Sequence, residues 1–336
     1  MNPEARPRFE FQEIIGHCHR ALVAAGASEE HASCLARAAA TAEAEGNRAV
    51  GLIHLIDYLD ALEAGRILGD AEPELERVTP IITRVDAGGG MQHLGVERAF
   101  DPLVSAAREF GLAAVASRNG FTIGALSYFP RRLAEHGLVG MAFANAAPAI
   151  MPASGGTRPR FCTNPMAFAV PTDGEFPIVI DQSSTATALV AIKQAADRGE
   201  SIPEGWALGP DGESTTDPVA ALAGVLLPFG GARGANIALT VELMAVGLTG
   251  ADWSWESAAF NEGSEPPSLG YFLLAIDPEK TGGPHYRKHV SHLVAAFEQD
   301  GAFVPGIGKG RTAGKTARDG VSVDPDVWER IGQYAS

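Results

Sequence analysis

The chain has 336 residues, 46% of them apolar and 20% charged, enough for a large buried core spread over about two domains. These proportions exclude a disordered chain, a collagen-like repeat and a disulfide-stapled miniprotein. Against 41 acidic residues stand 26 basic ones, a formal charge of −15 that repels phosphate backbones and anionic lipid, so neither nucleic acid nor a membrane surface is an expected partner.

The opening MNPEARPRFEFQEI holds no apolar leader. Residues 11–22 place Phe11, Ile14, Ile15, Cys18 and Leu22 at helical spacing, with Gly26 as a stop signal. Ser28, followed by Glu29 and Glu30, predicts the capped start of a second, Ala-rich helix ending near Gly46. A third stripe of Leu52, Leu55, Ile56, Leu59 and Leu62 closes at Gly65. From about Ile81 the texture changes. Helical segments at 96–110 and 126–136 alternate with short apolar runs at 113–116, 139–144, 166–170 and 178–180, which read as buried strands. Residues 203–218 read as a loop, 237–246 as a helix after a glycine cluster, and 277–333 as a mostly helical, charged tail. The uncharged stretches 137–157 and 219–232 are broken by prolines or too short against the roughly 20 apolar residues of a membrane span. Three widely spaced cysteines, Cys18, Cys34 and Cys162, read as reduced thiols of a cytoplasmic protein.

Several familiar motifs are missing. No GxGxxG stands at a strand-to-helix turn, and the 90–95 glycine spacing continues into Val96 and Glu97 rather than Lys-Ser/Thr. Ser154 lacks the GxSxG elbow. His17 and His19 flank a core cysteine and read as surface histidines. His285, His289 and His292 share one helical face, but no further ligand is placed beside them, so no metal is expected. Three segments stand out instead: Thr163-Asn164-Pro165 before a strand, Asp181 at a strand end followed by hydroxyls, and Gly230-Gly231-Ala232-Arg233-Gly234 before a helix. Strand ends with hydroxyls and glycine-rich helix starts with a cation are common seats for nucleotides and anions.

In order, these segments resemble the malate/L-lactate dehydrogenase family, which is distinct from the Rossmann lactate dehydrogenases and includes ureidoglycolate and sulfolactate dehydrogenases and Δ1-piperideine-2-carboxylate reductases. The likeness rests on HLIDYLDALEAGRI (54–67), NGFTIG (119–124) for the family's N-S-x-H-F-G, and CTNP (162–165) for G-T-N-P. It continues with DQSST (181–185) for D-x-A-T-S, PFGGARG (228–234) for P-x-G-G-x-K-G, and VPG (304–306) for the late P-G turn. The resemblance implies an α/β fold whose cofactor domain is not of the Rossmann type. It divides the chain into an N-terminal helical segment (1–75), a nicotinamide-binding α/β domain (76–276) and a C-terminal segment (277–336) packing on the helical part.

It further implies NADH or NADPH as cofactor, a small-molecule substrate and a homodimer. Gly124, Asp181, Ser183, Pro305 and Gly306 match cofactor-lining segments; Arg233 stands at the family's lysine beside the phosphates, and Thr163 at a threonine that contacts substrate. The family's S-H-G-x-x-R register reads Ala49-Val50-Gly51-Leu52-Ile53-His54 here, and the histidine of N-S-x-H-F-G reads Thr122. The register of the relay acid reads Ala191. Valine holds no titratable proton, so His54 is the candidate catalytic acid in that pocket. The implied function is an NAD(P)H-dependent reduction of a cyclic imine or a 2-keto-acid-like molecule. The alternative is a non-redox enzyme (lyase, cyclase or isomerase) or a ligand-binding protein on the same scaffold.

Overall fold

The structure, a computed structural model, describes residues 6–335; Met1–Ala5, which begin the opening segment read as leaderless, and Ser336 lie outside the described residues. After a two-residue strand β1 (Arg8–Phe9), the apolar stripes form α1 (Phe11–Ala24), α2 (Glu29–Ala44) and α3 (Leu52–Glu63). The Ser28 hydroxyl accepts the His31 N–H at 3.4 Å, capping α2 as its sequence suggests. Ile14, Cys18, Leu22, Leu35, Leu55 and Leu59 pack into one apolar cluster, which also takes Val321, Val323 and Ile331 from the far end of the chain. His17 is half-buried at the surface: its ring stacks on Trp328 at 3.8 Å, and Nε2 lies 3.0 Å from the Trp328 carbonyl.

The α/β part begins with a hairpin of β2 (Glu74–Thr79) and β3 (Ile82–Asp86), then α4 (Gln92–Phe110), β4 (Leu112–Gly120), α5 (Tyr128–Glu135) and β5 (Val139–Ala144). The short pair β6 (Met151–Pro152) and β7 (Pro159–Phe161) precedes β8 (Met166–Val170), β9 (Ile178–Gln182) and α6 (Leu189–Arg198). Residues 203–218 are more than a loop. They contribute β10 (Ala207–Leu208) and β11 (Ser214–Thr215) to a small sheet that, after α7 (Pro218–Ala223), is completed by β12 (Val225–Leu226). Then come α8 (Ala232–Glu242), β13 (Leu269–Ile276), α9 (Pro278–Gly282), α10 (Tyr286–Gln299), α11 (Ile307–Asp319), β14 (Val321–Ser322) and α12 (Pro325–Tyr334). The helix expected at 237–246 therefore starts earlier, at Ala232, and passes into a π-helical turn over Leu243–Gly247.

One seven-stranded sheet in the order β2-β3-β4-β13-β5-β8-β9 organises this part, with β3 and β4 parallel and the other neighbours antiparallel. Strand β13 alternates its side chains: Tyr271, Leu273 and Ala275 join the cluster under α4 and α5, while Phe272 meets Val241 and Val246 on the other face. Residues 269–276 drew no strand assignment from sequence, yet they form the centre of the sheet. The chain ends also meet, since β1 pairs with β14 through Phe9 opposite Val321.

Candidate active site

The turn before α3 is built on a buried carboxylate. Glu43 Oε2 accepts the Leu52 N–H at 3.1 Å, in the first turn of α3, where the helix dipole favours an anion. A Cβ on Gly51 would lie 2.5 Å from that oxygen, so this glycine admits the carboxylate. Burial pushes the Glu43 carboxyl above the usual range, outweighing the Leu52 N–H and the Arg48 guanidinium 3.7 Å away. Within the turn Arg48–Val50, Ala49 is exposed and Val50 half-buried.

In the first turn of α3, His54 meets polar atoms on both ring nitrogens. Nδ1 lies 2.7 Å from Asp57 Oδ2, and Nε2 lies 3.3 Å from Thr122 Oγ1. Tyr58, fully buried one turn on, donates its hydroxyl to the Thr122 carbonyl at 2.8 Å and accepts from Thr122 Oγ1 at 3.1 Å. Burial pushes the Tyr58 phenol far up, so it stays neutral. Its ring lies edge-on to His54 at 5.1 Å and to Phe121 at 5.1 Å, and behind it sits the buried ring of His93 at 6.1 Å. Gly124 borders the same spot, since a Cβ there would lie 3.5 Å from Tyr58 Oη and 3.9 Å from the His54 ring.

The loop 121–127 then hands over to the sheet. The Ser127 N–H, at the start of α5, donates to Asp181 Oδ2 at 3.0 Å. Asp181 stands at the end of β9, one residue before its last, Gln182. On its far side, the Val179 N–H donates to the Pro305 carbonyl at 3.1 Å. Gly306 follows at φ 88°, and a Cβ there would stand 2.4 Å from the Val179 nitrogen. Only glycine suits both the left-handed backbone and that approach.

The hydroxyl run after β9 ties two further segments together. The Ser184 N–H donates to the Thr163 carbonyl at 2.8 Å and its Oγ to the Asn164 carbonyl at 2.7 Å. Ser183 Oγ lies 3.0 Å from Thr185 Oγ1. The Phe229 N–H donates back to the Ser184 carbonyl at 3.1 Å, and Thr185 bridges to Pro228. Contacts therefore run from His54 through the 121–127 loop to Asp181, from the β9 end to Thr163–Asn164 and Pro228–Phe229, and from the β9 start to Pro305–Gly306. Arg233 is exposed on the first turn of α8, and Ala191 is half-buried in α6.

Sequence reasoning missed the support behind Thr163. Asn164, at φ 38°, donates from Nδ2 to Glu242 Oε2 at 2.6 Å and to the Ala238 carbonyl at 3.0 Å, while its Oδ1 accepts the Cys162 N–H at 3.0 Å. Glu242 also accepts the N–H and the hydroxyl of Ser254 at 2.8 and 2.9 Å, and Asn145 joins through Ser254 at 3.4 Å. Burial pushes the Glu242 carboxyl upward against these hydrogen bonds. Asp57 was missed as well, although its spacing three residues after His54 is a legible helical contact. His285, His289 and His292 are exposed along α10, and among the described residues no three His, Cys, Asp or Glu side chains gather as a metal site.

The residues present fit the phosphates of a dinucleotide. Gly230 and Gly231 sit at φ 59° and 65°, a Cβ on either would meet nothing within 4 Å, and α8 directs its N-terminus toward that space with Arg233 on its first turn.

Comparison with known proteins agrees with this architecture. Residues 9–332 match the family described as malate/L-lactate dehydrogenase. The chain is 41% identical to the (2R)-3-sulfolactate dehydrogenase (NADP(+)) of Chromohalobacter salexigens over 288 residues, 85% of this chain and 86% of that protein. It is 37% identical to the Δ1-pyrroline-2-carboxylate reductase of Ancylobacter novellus over 329 residues, 96% of each chain. The crystal structure of Δ1-piperideine-2-carboxylate reductase from Pseudomonas syringae pvar. tomato superposes with a TM-score of 0.93 at 32% identity, covering 98% of this chain and 99% of that one.

Proposed function

The chain belongs to the malate/L-lactate dehydrogenase family, and from that premise we propose that it is an NAD(P)H-dependent reductase of a small cyclic imine bearing a 2-carboxylate. The observation that carries the reading is the set of segments gathered along β9. The hydroxyl run 183–185 is joined there to Pro228 and Phe229, which lead into the open glycines 230–231 and Arg233, while Pro305, before Gly306, accepts the Val179 N–H at the start of the same strand. Two similar proteins, named for reduction of Δ1-pyrroline- and Δ1-piperideine-2-carboxylate, support the substrate class.

When bound, the nicotinamide supplies a hydride. The chain's own residues then divide the remaining work: Thr163 faces substrate, Asp181, Ser183, Gly124 and Gly306 line the cofactor, and His54 offers a proton. Reduction of a ketone leaves an alkoxide that demands a proton donor, whereas reduction of an iminium leaves a neutral amine that does not. With Val50 at the register of the family's proton donor, the imine is the less demanding substrate. No observation favours the non-redox alternative.

The same proposal divides the chain at residues 75 and 276, and sets it in a reducing compartment, where the free thiols of Cys18, Cys34 and Cys162 persist. Among the described residues no helix is long and apolar enough to cross a membrane. A homodimer is part of the reading, supported by the exposed Leu239, Leu243 and Leu248 along and after α8; light scattering of the purified protein measures it.

Fluorescence titration with NADH and NADPH tests the reading, followed by turnover on Δ1-pyrroline-2-carboxylate, Δ1-piperideine-2-carboxylate and a 2-keto acid. Saturable micromolar binding with turnover of an imine is expected. A folded protein that binds neither nucleotide overturns it.

A further inference from the structure

Between the π-helical turn and β13 the chain runs through residues 251–268 without regular structure, and this segment is tied down on both sides of the candidate site. At its start the Asp252 carbonyl accepts Asn145 Nδ2 at 3.2 Å. Ser254 gives its N–H and its hydroxyl to Glu242, the carboxylate that also holds Asn164 behind Thr163. Further on, the Phe260 N–H donates to the Ala147 carbonyl at 3.1 Å. The Arg66 guanidinium, just after α3, donates from Nε to the Phe260 carbonyl and from Nη1 to the Gly263 carbonyl, each at 3.0 Å. Arg66 is only 9% exposed and directs both donors to the main chain of this one segment. The segment therefore spans from the support of Thr163 to the helix that carries His54. There the Phe260 ring lies edge-on to His54 at 6.4 Å and to Phe121 at 6.1 Å. Tyr58 and Phe121, its aromatic neighbours around His54, are sealed in the core, whereas Phe260 is half-buried and keeps part of its surface open.

We infer that Phe260 is the specificity-determining residue of the substrate pocket, its ring forming the apolar wall for the methylene edge of a cyclic imine, and that Arg66 is the positioning residue that holds it there. The inference rests on the reductase reading for its substrate. Such a molecule has two unlike edges, a polar one carrying the carboxylate and nitrogen and an apolar one made of methylenes. The hydroxyl of Thr163 and the imidazole of His54 suit the first edge, and a hydrocarbon ring suits the second. Five-membered and six-membered imines differ by a single methylene, which an apolar wall discriminates by about tenfold or more. A wall carried on a segment without regular structure needs its backbone fixed from behind. The two Arg66 hydrogen bonds do this at Phe260 itself and three residues on.

The experiment compares kcat/KM for Δ1-pyrroline-2-carboxylate and Δ1-piperideine-2-carboxylate, with NADH and with NADPH, in the full-length parent, Phe260→Leu and Arg66→Met. Phe260→Leu opens room at the wall and should shift the ratio about tenfold toward the six-membered ring. Arg66→Met should shift it in the same direction, and the double variant should go no further than Phe260→Leu alone. A merely structural role lowers both substrates together and leaves the ratio within about twofold, and that result in Phe260→Leu overturns the proposal. A parent-like ratio in Arg66→Met removes Arg66 from it; where that variant fails to fold, Phe260→Leu alone decides. A parent that turns over neither imine sinks the reductase reading instead. Calorimetric binding of proline and pipecolate, the amines that the two reductions leave, then reads the same discrimination. A shift of about tenfold between them in Phe260→Leu keeps the wall, and an unchanged ratio, or binding of neither, removes it.

Discussion

Asn164 donates from Nδ2 to Glu242 Oε2 at 2.6 Å, and both residues are buried, at 0% and 1% exposure. The Thr163 loop is thereby fixed from behind by a carboxylate that also holds Ser254. Removing the carboxylate in Glu242→Ala strands an Asn164 N–H and both Ser254 donors in the interior, at a cost of about 3–5 kcal/mol. Glu242→Gln keeps an acceptor and should cost about 1–2 kcal/mol. Urea denaturation measures both. In the Gln variant the substrate KM should rise several-fold while nucleotide affinity is retained.

The buried histidines make the fold acid-sensitive. His93 is held down at about 3, chiefly by burial, against an unfolded value near 6.5. The unfolded chain thus binds the proton first as pH falls. The stability that His93 contributes is full above pH 6.5 and drains away as pH falls toward 3. Glu43 and Glu242, raised by burial, act in the opposite sense: their contribution is full below their ordinary carboxyl range and lost as pH rises through the raised values. Comparing the parent with His93→Phe cancels the carboxylates. Between pH 7 and 5 the parent should lose roughly 2 kcal/mol more than the variant, read by denaturant titration at each pH.

The glycine-rich entry to α8 leaves no room for a side chain at one point. A Cβ on Gly234 would stand 2.0 Å from the Phe229 carbonyl oxygen. Gly234→Ala should therefore move the 229–234 loop and weaken NADPH binding at least tenfold by fluorescence titration. Arg233→Ala leaves the backbone alone and should cost about 1–2 kcal/mol of binding, with the loss shrinking as salt is raised.

Arg131 of α5 and Glu45 after α2 form a buried ion pair at 2.9 Å, with side chains 9% and 8% exposed. Glu45→Ala leaves a buried guanidinium unpaired and should cost about 3–5 kcal/mol. The double variant with Arg131→Met should recover much of that loss. A double-mutant cycle in urea gives the coupling directly, and a coupling near zero would mean that water reaches the pair.

Much of this architecture could be read locally. The stripes of α1, α2 and α3 and the runs of β5 and β8 lie at or within a residue or two of where spacing places them, because each buries one face against its sequence neighbours. Strand β13 escaped although Leu269–Ile276 is an apolar run bounded by Pro267 and Asp277; its partners β4 and β5 lie more than a hundred residues earlier, so no neighbouring segment points to it. At the site, family resemblance singled out His54 and Thr122, and the fold brings them to 3.3 Å. Glu242 carried no signal: one glutamate among 41 acidic residues becomes notable only when the chain folds it against Asn164, 78 positions away.

The placement of β13 has a consequence for how the protein is made. During synthesis, β4 and β5 emerge long before residues 269–276 leave the ribosome, and each presents an open strand edge where β13 will lie. The helical layer waits longer still, for Val321 to pair with Phe9. A nascent chain stalled before residue 276 holds two unzipped half-sheets, so slow translation or truncation in the last quarter should yield insoluble product while upstream point substitutions on the surface do not.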